Sequence, residues 1–301
     1  MSEAQDIVRA LGGDFKGSSG QAPCPCCQRE RRKDQRGLSV KDASGKTLLT
    51  CHKSSCSASD VFAALRGGGI VKNQRETVNC TPFDIEKERQ ERNRQKVKTQ
   101  ALCDHIFSEA VPISGTPVET YLKTRGIIVQ GHKMRDTLRF HPALRHSPSS
   151  QELPAMVARV RGPNGLPIGL HRTFLKPYGL GKASVSPARM MLGSCAGGAV
   201  RLGPNRPMIM LAEGIETALS LGIVSHMTVW ATLSTSGLKG LRLPKIPTAE
   251  IVILAADNDP AGVSAAEEAA VRFEAERRTV TIIAPKAIGA DWNDVLQEAP
   301  Q

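Results

Sequence analysis

Ile251-Val252-Ile253-Leu254-Ala255-Ala256-Asp257-Asn258-Asp259-Pro260-Ala261-Gly262 is an unbroken apolar run that closes on a D-x-D pair, a proline and a glycine. A run of that length and content reads as a strand buried on both faces. The Asp259-Pro260 step after it reads as a helix start, because proline is tolerated where a helix begins. Working outward, Met208-Ile209-Met210-Leu211-Ala212 is a second apolar run, stopped by Glu213-Gly214, and Thr279 to Ala284 is a third, followed by Asp291-Trp292-Asn293-Asp294. Thr228 to Ala231 is another strand-like run, while Glu216 to Leu221 and Ala261 to Arg277 are helix-like. Strands alternating with helices predict an α/β fold with a parallel sheet flanked by helices, and ligands of such sheets sit at the carboxyl ends of the strands. Three groups of carboxylates therefore fall on the edge where a ligand is expected.

The rest of the chain divides into three further segments. Residues 1–70 hold a cysteine cluster and close on Arg66-Gly67-Gly68-Gly69. Residues 71–100 include Asp84 to Gln100, nearly all polar and charged, which reads as a solvated linker helix with too few apolar positions to join a core. Residues 101–205 alternate turn signals with short apolar runs, Met156 to Val160 and Ile168 to Leu175 among them, and read as a mixed α/β subdomain. Residues 206–301 carry the parallel sheet. Lys and Arg outnumber Asp and Glu by 40 to 29, a formal charge of +11, so acidic partners are expected and nucleic acid first among them. No long apolar run offers a membrane span, and Met1 to Gly13 lacks the pattern of a secretory signal, which places the expected location in the cytoplasm. Aromatic residues make up only 4% of the chain, so stacking of bases on an aromatic platform is not the expected main mode of binding.

Five of the eight cysteines lie between positions 24 and 56. Cys24-Pro25-Cys26-Cys27 and Cys51-His52 to Cys56 flank two strand-like runs, Gly37 to Val40 and Lys46 to Thr50, joined by a turn at Asp42 to Gly45. Ligand pairs at the ends of a β-hairpin converge on a tetrahedral zinc ion, so the fold expected here is a zinc ribbon with Cys24, Cys27, Cys51 and Cys56 as ligands. Cys26 and His52 are alternatives for a neighbouring position. A module this small folds with the help of its metal. Arg29, Arg31, Arg32, Lys33 and Arg36 in the first loop are candidates for gripping template phosphates. Cys80, Cys103 and Cys195 stand apart and read as packed thiols.

Carboxylates gathered from separate strands make an oxygen-rich pocket suited to Mg2+ or Mn2+, and such ions stabilise charge on attacking and leaving oxygens in phosphodiester chemistry. The segments Leu211-Ala212-Glu213-Gly214-Ile215-Glu216-Thr217-Ala218-Leu219, Asp257 to Gly262 and Asp291 to Asp294 resemble the Toprim domain shared by bacterial-type primases and type IA and II topoisomerases, and in particular that of primases encoded by phages and plasmids. In that family a zinc ribbon precedes the Toprim domain. Here Cys27 stands where the family has histidine, Leu38-Ser39-Val40 matches its serine-containing strand, and the Cys51 to Cys56 spacing is one residue longer. Tyr121-Leu122 with Arg125-Gly126-Ile127, Pro154 to Ala158, and His171 to Leu175 with Gly181-Lys182-Ala183 are similar to the part that precedes Toprim in these proteins.

The resemblance implies a DNA primase, a nucleotidyltransferase that makes short RNA primers on single-stranded DNA from ribonucleoside triphosphates during replication. Glu213 would be a general acid/base or metal partner, Asp257 and Asp259 would hold Mg2+, and Asp291 or Asp294 would complete the acidic patch. Glu216 is expected to be a charge in the first helical turn favoured by the helix dipole. Arg172 and Lys182 are candidates for the incoming triphosphate, since such a site must neutralise phosphate charge. With no G-x-x-x-x-G-K-[ST] loop in the sequence, unwinding is expected from a separate replicative helicase. Two other readings use the same residues: a Toprim metal-dependent nuclease, and a DNA-binding replication or recombination accessory without catalysis. The second is disfavoured by the full acidic set and by the roughly 150 residues between Cys56 and Glu213.

Overall fold

The computed structural model describes residues 2–28, 30, 36–43, 46–54, 56–71, 82–129, 134–287, 289 and 292–298. The chain forms two compact units, Met1–Thr81 and Pro82–Gln301.

In the first unit, helix α1 (Glu3–Ala10) starts at Ser2, whose hydroxyl accepts from the Gln5 amide, and buries Ala4, Ile7 and Val8. Strands β1 (Asp14–Lys16), β2 (Ser19–Ala22), β3 (Leu38–Ala43) and β4 (Lys46–Cys51) pair antiparallel in chain order, and helix α2 (Ala58–Gly67) follows behind a Ser57 cap. The hairpin read from the sequence is β3–β4; β1 and β2 lie outside that reading. Strand β2 turns only Gly20 and Ala22 inward, which gives almost no apolar signal. A Cβ on Gly20 would lie 2.7 Å from the Asp14 carbonyl oxygen and 2.9 Å from a Val8 methyl, so the close approach of helix to sheet demands glycine there. Ile7, Leu11, Leu38, Val40, Val61 and Leu65 fill the small core.

The second unit opens with helix α3 (Pro82–Glu109), 28 residues long. Its residues 89–98 are exposed, but the helix runs on past Gln100 and buries Cys103, Ile106 and Phe107 in its last turns. Helix α4 (Pro117–Lys123) follows, then the antiparallel sheet β5 (Leu138–His146), β6 (Gln151–Arg161), β7 (Pro167–Phe174) and β8 (Arg189–Gly193). One face of this sheet packs Ala155, Val157, Leu170 and Phe174 against α3.

The remaining elements are β9 (Val200–Leu202), β10 (Met208–Ala212), α5 (Ile215–Ser225), β11 (Val229–Ala231), α6 (Thr235–Gly240), β12 (Ile251–Ala255), α7 (Pro260–Ala275), β13 (Thr279–Ile283) and α8 (Trp292–Glu298). They build a sheet of order β13-β12-β10-β11-β9, parallel except for β9, which runs antiparallel to β11. Side chains alternate across β10: Ile209 and Leu211 pack with Val252, Leu254, Ala265, Ala269 and Phe273 on one face. Met210 and Ala212 pack on the other face with Tyr121, Leu122, Met156, Ala158 and Ala218. The middle segment and the parallel sheet therefore share one core. Burial on both faces is why these strands read as continuous apolar runs.

A buried guanidinium fixes the far edge of that sheet. Arg278, with its side chain 4% exposed, donates to the carbonyls of Thr248, Ala249 and Pro244 at 2.8, 2.7 and 2.6 Å and to Glu276 at 3.1 Å. Truncating it leaves three carbonyls without their donors, and each buried polar group left unpaired costs about 1–3 kcal/mol. Arg278→Ala is expected to lower stability by about 3 kcal/mol, read from the urea midpoint of the second unit; an unchanged midpoint would remove the staple from the account.

Candidate functional site

Strands β10 and β12 pair in parallel with Met208 opposite Ile251 and Ala212 opposite Ala255. Glu213 therefore leaves the sheet level with Ala256, one residue before Asp257, and both acidic segments reach the same carboxyl edge. Gly214 is the N-cap of α5 and lets the chain turn directly from strand to helix. The Glu213 carbonyl accepts from the Leu233 amide at 2.8 Å, and Leu233 is held at φ 74°, a conformation that non-glycine residues adopt only when their surroundings impose it. Burial, and then the Asp259 charge, push the Glu213 carboxyl above its usual range, with Arg189 opposing.

Asp259 caps α7, accepting from the Gly262 amide at 2.7 Å, and its own amide donates to the Asp257 carbonyl at 2.8 Å. A Cβ on Gly262 would stand 2.6 Å from that carbonyl oxygen, so the helix start can close on the acidic loop only with glycine at this position. Asn258 ties the loop outward, donating to the Pro285 and Ala287 carbonyls at 2.9 and 3.0 Å. Asp294 is exposed in the first turn of α8, and Asp291 lies outside the described residues. The residues between and beside them anchor this segment: Trp292 donates to the Ala256 carbonyl at 3.2 Å, and buried Asn293 donates to Ser220 at 2.9 Å and to the Arg125 carbonyl at 2.8 Å. Hard oxygen donors on one edge fit a divalent cation in kind. Among the described residues, though, the only group of three or more ligand atoms within 4.8 Å of one another is the cysteine set, so the carboxylates share an edge without closing on a common point.

The basic residues divide between two faces of the neighbouring sheet. Lys182, at the end of the turn after β7, lies 3.8 Å from the Glu216 carboxylate, and Arg189 at the start of β8 is within electrostatic reach of Glu213 and His171. Arg172 does not join them. On β7 it shares a face with Leu170 and Phe174, donates to the Met191 carbonyl at 3.1 Å, and sits beside Cys103 and Cys195 under α3. The expectation that Arg172 grips triphosphate is corrected by strand alternation, which turns it inward while its neighbour His171 faces Glu216.

Glu216 stands in the first turn of α5 as expected, but it is 6% exposed and its Oε1 accepts from the Tyr121 hydroxyl at 2.5 Å. Burial alone would raise its pKa, but the Tyr121 hydrogen bond and the charges of Lys182 and Arg125 outweigh it and hold the carboxyl below its usual range. Burial, then the Glu216 charge, raises the Tyr121 phenol. His171 is pushed down to about 4 by burial, with the cations around it adding to the effect and Glu216 opposing it, so the ring is neutral. Its Nδ1 is buried with no hydrogen-bond partner. The Tyr121-Leu122 and Arg125-Gly126 pattern and the helical position of Glu216 were visible in the sequence; their meeting across 95 residues was not.

In the first unit, Cys24, Cys27, Cys51 and Cys56 place all four sulfurs within 4.8 Å of one another, with Cys27 and Cys51 at 3.6 Å. A tetrahedral zinc–thiolate site sets sulfurs about 3.8 Å apart, so the donor set fits zinc in number, chemistry and spacing. Burial pushes Cys24 up to about 11 and Cys56 up to about 12, with their sulfur neighbours adding to it. At Cys51 burial is outweighed by the Ser54, Cys56 and Lys53 amides, which bring it down to about 6. A bound zinc ion would hold these four sulfurs as thiolates. His52 is not in the group; its Nε2 meets the Ser39 hydroxyl at 2.9 Å. Of the proposed phosphate-gripping residues only Arg36 is described, in an ion pair with Asp14 at 3.1 Å, while Arg29, Arg31, Arg32 and Lys33 lie outside the described residues. Lys16, Arg36, Lys41 and His52 line an open concavity on the sheet. Cys103 is buried and Cys195 partly so, whereas Cys80 is outside the described residues. Among the described residues no helix is long and apolar enough to cross a membrane.

Residues 97–202 match a family model described as a domain of unknown function (DUF7146), and residues 208–301 match one described as a Toprim domain. No curated protein matches the chain. Among solved structures, a DNA primase domain from Pseudomonas aeruginosa is 15% identical, with 66% of this chain and 74% of that chain covered at a TM-score of 0.46. The Aquifex aeolicus primase, with its zinc-binding and RNA polymerase domains, is 14% identical over 99% of this chain and 82% of that chain, at a TM-score of 0.43. The primase fragment of the bacteriophage T7 primase-helicase protein is 16% identical, covering 91% of this chain and 93% of that chain, at a TM-score of 0.42. The strand-to-carboxylate turns at Glu213 and Asp257 thus belong to a recognised unit: residues 208–301 are a Toprim domain.

Proposed function

We propose that this chain is a DNA primase that joins ribonucleotides on a single-stranded DNA template. The observation that carries the reading is the in-register ending of β10 and β12, which sets Glu213 and the Asp257–Asp259 pair on one edge, with Arg189 on the adjoining sheet and Lys182 in the connection between β7 and β8. Glu213, half-buried and raised in pKa, is suited to take the proton of a ribose 3′-hydroxyl. Asp257 and Asp259, with Asp291 or Asp294 as a further candidate, would hold Mg2+ or Mn2+, which supplies stabilisation of charge on the phosphate oxygens. Lys182 and Arg189 neutralise the triphosphate. The attacking 3′-oxygen displaces pyrophosphate from the α-phosphorus. The four cysteines would hold zinc, and the N-terminal unit would contact template phosphates through its basic residues. A separate replicative helicase would supply unwinding.

Primer synthesis with labelled ribonucleotides on a random single-stranded template, with and without chelator, tests the reading. Glu213→Gln and Asp257→Ala are each expected to lower synthesis by about 10²-fold or more with the thermal midpoint kept. Template-dependent product from either variant at the wild-type rate would sink the assignment. Shortening of labelled single-stranded DNA in place of new RNA would identify a nuclease using the same edge.

Atomic emission on the purified chain is expected to find a single tightly held zinc ion. Cys27→Ser should lose it and render the N-terminal unit sensitive to protease while the second unit melts as before. A metal-free chain with an intact N-terminal unit would refute the zinc assignment.

A further inference from the structure

Glu216 lies in the first turn of α5 among Ile215, Ala218 and Leu219, all buried in the core shared with α4 and β6. A carboxylate in such surroundings is costly unless paired, and an apolar residue of similar volume would serve packing as well or better. Its partners are specific. Tyr121, 2% exposed on α4, donates its hydroxyl at 2.5 Å to the same oxygen that faces the Lys182 ammonium at 3.8 Å. Tyr121 thus fixes the carboxylate, and the carboxylate faces outward to a lysine whose side chain is 34% exposed at the rim of the site.

Lys182 needs such an anchor. Arg125 lies within electrostatic reach of Glu216, and Arg189, Arg172 and Lys182 all act on His171. Within this field of like charge a long, flexible ammonium side chain would turn to solvent unless an anion retained it. His171, neutral and buried, adds no positive charge to repel it. An ammonium has three N–H donors, so its ion pair with Glu216 is compatible with gripping a phosphate oxygen.

We propose that Glu216, fixed by Tyr121, is a positioning residue that holds Lys182 at the carboxyl edge of the sheet to receive the triphosphate of an incoming nucleotide. The proposal rests on the nucleotidyl-transfer reading above. The charge of Glu216 is used to orient a cation, and it is separate from the divalent ion that Asp257 and Asp259 would hold.

The test measures affinity of the full chain for a fluorescent ATP analogue by anisotropy, beside primer synthesis at varied ribonucleotide concentration. Glu216→Gln keeps the volume and an acceptor for Tyr121 but removes the charge. It is expected to weaken nucleotide affinity and raise KM about tenfold, with kcat falling far less. Lys182→Met should do the same, and the double variant should be no weaker than Lys182→Met alone within about twofold, since both changes remove one interaction. Tyr121→Phe should give a smaller loss, about threefold, and carries the comparison should Glu216→Gln not fold. Unchanged affinity in Glu216→Gln, or a loss that adds in full on Lys182→Met, would overturn the proposal. Coupled losses in nucleotide binding by a wild-type chain that makes no primer would support it while overturning the primase reading; a wild-type chain that binds no nucleotide overturns both.

Discussion

The site depends on one constraint: β10 and β12 are parallel, adjacent and in register. Parallel neighbours send their chains out of the sheet at the same edge, and register decides how far each has travelled on arrival. With Ala212 opposite Ala255, the first residues beyond the paired stretch are Glu213 on one strand and Ala256-Asp257 on the other. A slip of one residue would turn every side chain of a strand to the wrong face, and the two-sided core around Ile209, Met210, Leu211 and Ala212 forbids it. Hydrophobic packing thereby aligns the carboxylates, although no carboxylate takes part in the packing. The turns that follow are tuned to the same end, with Gly214 opening α5 and Gly262 letting α7 start against the Asp257 carbonyl.

The two units solve the problem of positioning polar chemistry in different ways. In the N-terminal unit the four sulfurs gather at one point as a donor set suited to a metal ion, and a short hairpin with a thin core carries them. In the second unit the charged groups are spread along an edge and steadied from behind by neutral or paired groups, such as Trp292, Asn293 and the Tyr121–Glu216 contact. The first arrangement concentrates its donors at one point; the second spreads opposite charges along an edge.

Much of this was legible in the sequence, for reasons that differ by element. The bounds of β10 and β12 follow from apolar runs because both faces of the sheet are covered there. The four thiols follow from paired spacing. Strand β2 escaped because its inward residues are glycine and alanine, and β5 because its burial pattern is broken by a bulge between His141 and Leu144. The first-turn position of Glu216 was legible; its burial is conferred by α4, which no local pattern reveals. Arg172 was misread because its charge was weighed and its parity on β7 was not: Leu170 and Phe174, two positions to either side, already mark the inward face.

Strand β9 carries a practical consequence. Val200–Leu202 precedes the matched Toprim segment, yet it forms the border of the Toprim sheet, with Arg201 stacked 4.2 Å over Trp230. A fragment trimmed to begin at Met208 would strip Val229–Ala231 of that neighbour, uncover backbone donors and acceptors, and bare the apolar side of β10. Such edges recruit other chains. Dissecting the molecule at the apparent seam would therefore yield aggregates whose inactivity says nothing about chemistry, and the smallest faithful fragment keeps the middle segment attached.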